Sequence, residues 1–79
     1  MQVRFYAVGR EIANCNEYSA NAASVQSLRD ELVGAFGARM GQLFDASSIM
    51  HKGRRLTVDD NVAFTGDDIV DVLPPFAGG

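Results

Sequence analysis

Apolar and polar residues alternate from Gln2 to Val8, with Val3, Phe5 and Ala7 on one side and Gln2, Arg4 and Tyr6 on the other. That period, carried by aromatic and β-branched residues, predicts a strand with its apolar side inward. Gly9 to Asn16 reads as a connection, and Glu17 to Ala20 as a short second strand pairing back. The period then changes. Val25, Leu28, Leu32 and Phe36 recur at steps of three and four, the stripe of an amphipathic helix over Ser24 to Phe36. Ser24 is placed to cap it and Gly37 to end it. Arg39 to Phe44 adds a short helical turn under the core. Ser47 to Met50 and Arg55 to Val58 predict two strands closed by His51-Lys52-Gly53-Arg54, where Gly53 supplies the positive φ of a hairpin turn. Asp59-Asp60-Asn61 and Gly66-Asp67 make further turns. Ile69 to Leu73 is the last strand, with Val70 and Val72 on one face and Ile69, Asp71 and Leu73 on the other. Strands around one main helix give an α+β class.

Periodicity stops at Leu73. Pro74 and Pro75 fix φ and lack an N–H, so they end a sheet ladder and hold the chain extended. Residues 1–73 therefore read as the folded domain, and Pro74, Pro75, Phe76, Ala77, Gly78 and Gly79 as an extended arm. Its reach is roughly 20 Å, at about 3.3–3.6 Å per residue. Gly78 and Gly79 carry no side chain, so the tip suits a channel that a Cβ would block. The group with chemistry is the α-carboxylate of Gly79. The alternative is an inert, frayed end.

Composition narrows the function classes. Seventy-nine residues allow one domain, and 47% hydrophobic with 22% charged residues is a globular balance. The net charge is −3. Nucleic-acid binding is not expected, since the densest basic stretch, Lys52-Gly53-Arg54-Arg55, is a short turn. No apolar run approaches a membrane span, and the amino end lacks a signal pattern. One cysteine excludes an internal disulfide and fits a reducing, cytoplasmic setting. Cys15 lies in polar Asn14-Cys15-Asn16 without an adjacent cation to activate it, and reads as an incidental loop thiol. His51, the one histidine, reads as a turn residue, and no metal site is expected. Asp59-Asp60 and Asp67-Asp68 read as turn formers.

The ending Pro-Pro-x-x-Gly-Gly, preceded by Thr65-Gly66-Asp67-Asp68-Ile69-Val70, resembles that of the MoaD/ThiS family of ubiquitin-like sulfur carriers, and most the small subunit of molybdopterin synthase. Val3-Arg4-Phe5-Tyr6-Ala7, Arg10-Glu11-Ile12 and Ser24-Val25-Gln26-Ser27-Leu28 are similar to the family's first strand, its Arg-Glu-aliphatic sequence and its helix start. The chain departs at Ile49-Met50-His51-Lys52-Gly53, where members often carry Ala-Val-Asn. The resemblance implies a β-grasp: a mixed sheet of about five strands on one main helix, with the first and last strands parallel and adjacent. In such a register Arg4 would meet Asp71, and Tyr6 would meet Leu73, on the outer face. It further implies that Tyr6, Leu56 and Leu73 dock a partner.

The implied chemistry starts at Gly79. Its carboxylate would be adenylated with ATP and converted to a thiocarboxylate that donates sulfur for molybdopterin. The chain has no phosphate-cradling loop of its own. Activation is thus assigned to an ubiquitin-activating-type adenylating enzyme, sulfur supply to a donor protein, and catalysis to the synthase large subunit. The chain itself is expected to be no enzyme and to bind no cofactor. Alternatives are sulfur supply to thiazole or cysteine synthesis, a protein modifier joined through Gly79 to lysines, and an interaction domain with an unused tail.

Overall fold

A computed structural model describes residues 1–75. Its elements are β1 (Gln2–Phe5), α1 (Val8–Ala13), β2 (Glu17–Ser19), α2 (Val25–Phe36), α3 (Ala38–Ala46), β3 (Ser48–His51), β4 (Arg54–Leu56) and β5 (Ile69–Leu73). The strands form one mixed sheet in the order β2-β1-β5-β3-β4. β1 and β5 are parallel, and the other pairs antiparallel. α2 crosses one face, and the arm leaves from the central strand. This is the β-grasp arrangement.

α2 starts where its sequence directs. Ser24 Oγ accepts from the Ser27 N–H at 3.1 Å, and Ser27 Oγ accepts from the Ser24 N–H at 3.0 Å, a reciprocal capping box. Val25, Leu28 and Leu32 are buried and meet Val3, Phe5, Val70 and Val72 in one core. Phe36 closes its end, edge-on to Phe5 at 5.6 Å and to Tyr18 at 5.1 Å between ring centroids. Gly37, at φ 95, donates its N–H to the Val33 carbonyl at 2.8 Å.

Several boundaries differ from the sequence reading. The first strand stops at Phe5, and Ala7 leaves the core face, because the chain turns at Ala7 and continues into α1. The supposed connection after Gly9 is mostly that helix. Gly9 and Ala13 are buried at helical spacing, and Asn14 ends it at φ 56. The short turn at Arg39 to Phe44 is a nine-residue helix whose Met40, Gly41 and Phe44 face inward. Gly41 lets it approach α2, since a Cβ there would sit 2.8 Å from Val33 Cγ2. The β3–β4 hairpin turns on Lys52 and Gly53 alone, both at positive φ (51° and 78°).

Candidate functional site

The register of β1 against β5 sets what surrounds the arm. Arg4 stands opposite Asp71, and Phe5 opposite Val72. One step further, Tyr6 and Leu73 meet along a common open groove of about 530 Å³. Tyr6, Val8 and Arg10 line it from one side, and Leu73, Pro74 and Pro75 from the other. Pro74 is buried and Pro75 exposed, so the arm's first residue belongs to the packed domain. The groove is mainly apolar, with the exposed Arg10 as its one cation among the described residues.

Asp71 fastens the outer face beside this groove. Arg4 forks onto it, Nε donating to Oδ1 at 2.7 Å and Nη2 to Oδ2 at 3.1 Å. The Tyr6 hydroxyl donates to Oδ1 at 2.9 Å. Hydrogen bonding from Arg4 holds the Asp71 carboxyl below its usual range, against the opposing effect of burial. Burial, and then the bond to the Asp71 carboxylate, pushes the Tyr6 phenol up. At neutral pH the site is thus an ion pair plus a neutral phenol, and it orients the Tyr6 ring over the arm's root. None of these groups is poised as a nucleophile or general base.

No protein-family model matches the chain, and no curated protein matches it in sequence. Solved structures do match. SAMP1 from Haloferax volcanii gives a TM-score of 0.80 at 23% identity, over 99% of this chain and 97% of that one. A putative molybdopterin converting factor subunit 1 from Pyrococcus furiosus gives 0.75 at 24%, over 94% of each chain. A chain in the Helicobacter pylori complex of subunits 1 and 2 of molybdopterin-converting factor gives 0.69 at 20%, over 99% of this chain and 96% of that one. The fold is that of the MoaD/ThiS family.

Within that MoaD/ThiS fold, Tyr6 and Leu73 come together as the alternation implied, and Arg4 meets Asp71. Leu56 does not join them. It is 3% exposed and stands opposite Ile49 on the core face, so as a docking residue it is corrected to a core residue. Phe76, Ala77, Gly78 and Gly79 lie outside the described residues. His51 is also corrected. It is the last residue of β3, and its Nε2 lies 3.0 Å from Asp68 Oδ1, with its ring edge-on to Phe64. Asp68 takes a second bond from the Thr65 N–H at 2.7 Å. These contacts, His51 foremost, hold its carboxyl at about 2. Cys15 is a half-buried free thiol. Among the described residues no group of three His, Cys, Asp or Glu could hold a metal ion, and no helix is long and apolar enough to cross a membrane.

Sequence reasoning missed Val8 and Arg10 as groove residues because it carried the first strand to Val8. The signal was present in Gly9, Ile12 and Ala13, whose spacing of three and four is helical. The Tyr6–Asp71 bond left no such trace, since it depends on how far the phenol reaches diagonally across the sheet.

Proposed function

We propose that this chain is a sulfur carrier that works through Gly79 and donates sulfur for molybdopterin synthesis. What carries the reading is the Pro74-Pro75-x-x-Gly-Gly arm, set directly after the central parallel strand of a fold shared with molybdopterin converting factor subunit 1. A carboxylate is a poor acyl donor because oxide would have to leave. Attack of the Gly79 carboxylate on the α-phosphate of ATP, at a partner enzyme, releases pyrophosphate and gives an acyl-adenylate. The terminal sulfur of a donor protein's persulfide then displaces AMP to give an acyl disulfide, and a second thiol of the donor cleaves the S–S bond, closing a disulfide in the donor and releasing the thiocarboxylate. The chain supplies the group and its delivery. The adenylating enzyme and the large synthase subunit supply catalysis.

The groove fits that division of labour. Tyr6 and Leu73 offer an apolar anchor where the arm begins, and Arg10 offers a cation to a partner's carboxylate, while the five residues after Pro74 allow a reach of roughly 17 Å at most. The Helicobacter pylori structure, a complex of subunits 1 and 2, supports a large-subunit partner of this kind. The test is extension by one residue past Gly79, which moves the carboxylate off the reactive position. Sulfur transfer should be abolished with the thermal midpoint unchanged. Sulfur transfer by an untrimmed extended chain would end the reading.

Likeness to SAMP1, of which a second structure is described as small archaeal modifier protein 1, favours a second reading. Here the same activated Gly79 carbonyl passes to a lysine amine instead of to sulfur. The two readings share the activation step and differ in the nucleophile.

A further inference from the structure

Positive charge is concentrated at one place in this acidic chain. Lys52, Arg54 and Arg55, three of the seven basic residues, fall within four positions at the β3–β4 hairpin, while the chain as a whole carries −3. Arg54 and Arg55 are exposed, and among the described residues neither forms an ion pair. Nearby carboxylates are engaged elsewhere. Asp45 is forked by Arg29 at 2.6 and 2.7 Å, and Asp60 accepts the Thr57 N–H at 2.6 Å.

These arginines sit on an open sheet edge. β4 is last in the order and pairs with β3 alone. Antiparallel pairs alternate between exchanging both backbone bonds and exchanging none. The two-residue turn at Lys52 and Gly53 closes on the first kind of pair, His51 with Arg54, so Arg55 opposite Met50 is of the second kind. Its N–H and C=O therefore point away from the sheet, where a further strand would use them. Beside them a groove of about 220 Å³ runs between β4 and the end of α3. Phe44, Ile49 and Leu56 line it from the buried core, and Val58, 49% exposed, forms its lip with Arg55.

Few occupants suit an edge, a pair of free cations and an apolar slot together. A second copy paired about Arg55 would set arginine against arginine, and like charges across a ladder are destabilising. A nucleic acid would meet a net negative chain, with Asp59 and Asp60 just past the strand. We propose that the β4 edge docks a short, acidic, extended segment of a partner protein. The segment pairs its backbone with Arg55, sets carboxylates against Arg54 and Arg55, and places one aliphatic side chain in the groove beside Val58. The arm leaves from β5, two strands inward, and its own groove lies on the other side, against Tyr6 and Val8. A partner held at β4 leaves the Tyr6–Leu73 groove free.

Amide NMR of the full chain tests this with two capped peptides, one of alternating valine and glutamate and one of alternating valine and lysine. The glutamate peptide should shift the amides of residues 54–58 and 44–47, slow exchange of the Arg55 N–H, and leave Tyr6 and Leu73 unmoved. Arg54→Glu together with Arg55→Glu should lower its affinity at least about tenfold and transfer binding to the lysine peptide. Val58→Ser, which keeps both arginines, should weaken it as well. No binding by about 1 mM peptide, equal binding of the two peptides, or unchanged affinity in either variant would overturn the inference. So would shifts centred on the Tyr6 groove, self-association of the chain through β4, or an oligonucleotide that holds this edge more tightly than the glutamate peptide. No step uses Gly79, so each of these results leaves the sulfur-carrier reading standing.

Discussion

Ala7 holds a backbone conformation that alanine rarely adopts, φ 52 and ψ −125. The Gly9 N–H donates to the Tyr6 carbonyl at 2.9 Å across it, the geometry of a type II′ turn, whose first central position favours glycine. Strain of about 1–3 kcal/mol is therefore stored at the turn that shapes the arm's groove, and glycine would return part of it as chain entropy. Ala7→Gly should raise stability by roughly 1 kcal/mol in chemical denaturation. An equal or lower stability would show the turn is unstrained. Asp68 has the opposite sign. Its folded carboxyl sits at about 2 against an ordinary 3.8, so its contribution is complete above pH 4 and fades as pH falls through 2. Asp68→Asn should melt lower than the parent at neutral pH, with the gap narrowing between about pH 4 and 2. A gap that stays constant over that range would contradict this.

α2 is the element on which the core turns. Leu32 is completely buried between helix and sheet, so Leu32→Ala should cost roughly 2–5 kcal/mol in equilibrium unfolding. A melt close to the parent's would show that the stripe is not the seam. This helix was legible in sequence because three independent signals agree: a serine cap, a period of three and four, and a terminal glycine. β5 was legible too, since Val70 and Val72 alternate with Asp71 and stop at proline. α1 was missed although Gly9, Ile12 and Ala13 carry its spacing, because six residues give fewer than two turns and open on a non-glycine turn that no composition rule flags. Leu56 escaped as well. Its strand has three residues, too few for alternation to assign a face, and the Ile49 pairing that buries it is tertiary. His51 escaped for a similar reason, because its partner Asp68 lies seventeen residues on.

At the scale of the molecule, the C-terminal ends of the parallel strands β1 and β5 meet at the root of the arm, so one groove offers a partner both strands and the start of the tail. Tyr6→Ala should weaken binding of the proposed large-subunit or adenylating partner at least about tenfold, as for an aromatic anchor. Tyr6→Phe, which keeps the ring and loses only the bond to Asp71, should bind nearly as the parent does. Equal affinity of Tyr6→Ala and the parent would remove the groove from the interface.

The central claim is chemical, that Gly79 carries sulfur. It is tested most directly by the intact mass of the chain isolated from its native cell. The account predicts a population heavier than the sequence by the difference between sulfur and oxygen, lost on treatment that hydrolyses a thiocarboxylate and mapped to Gly79. A chain found only with its carboxylate, under conditions where molybdopterin is being made, would contradict it.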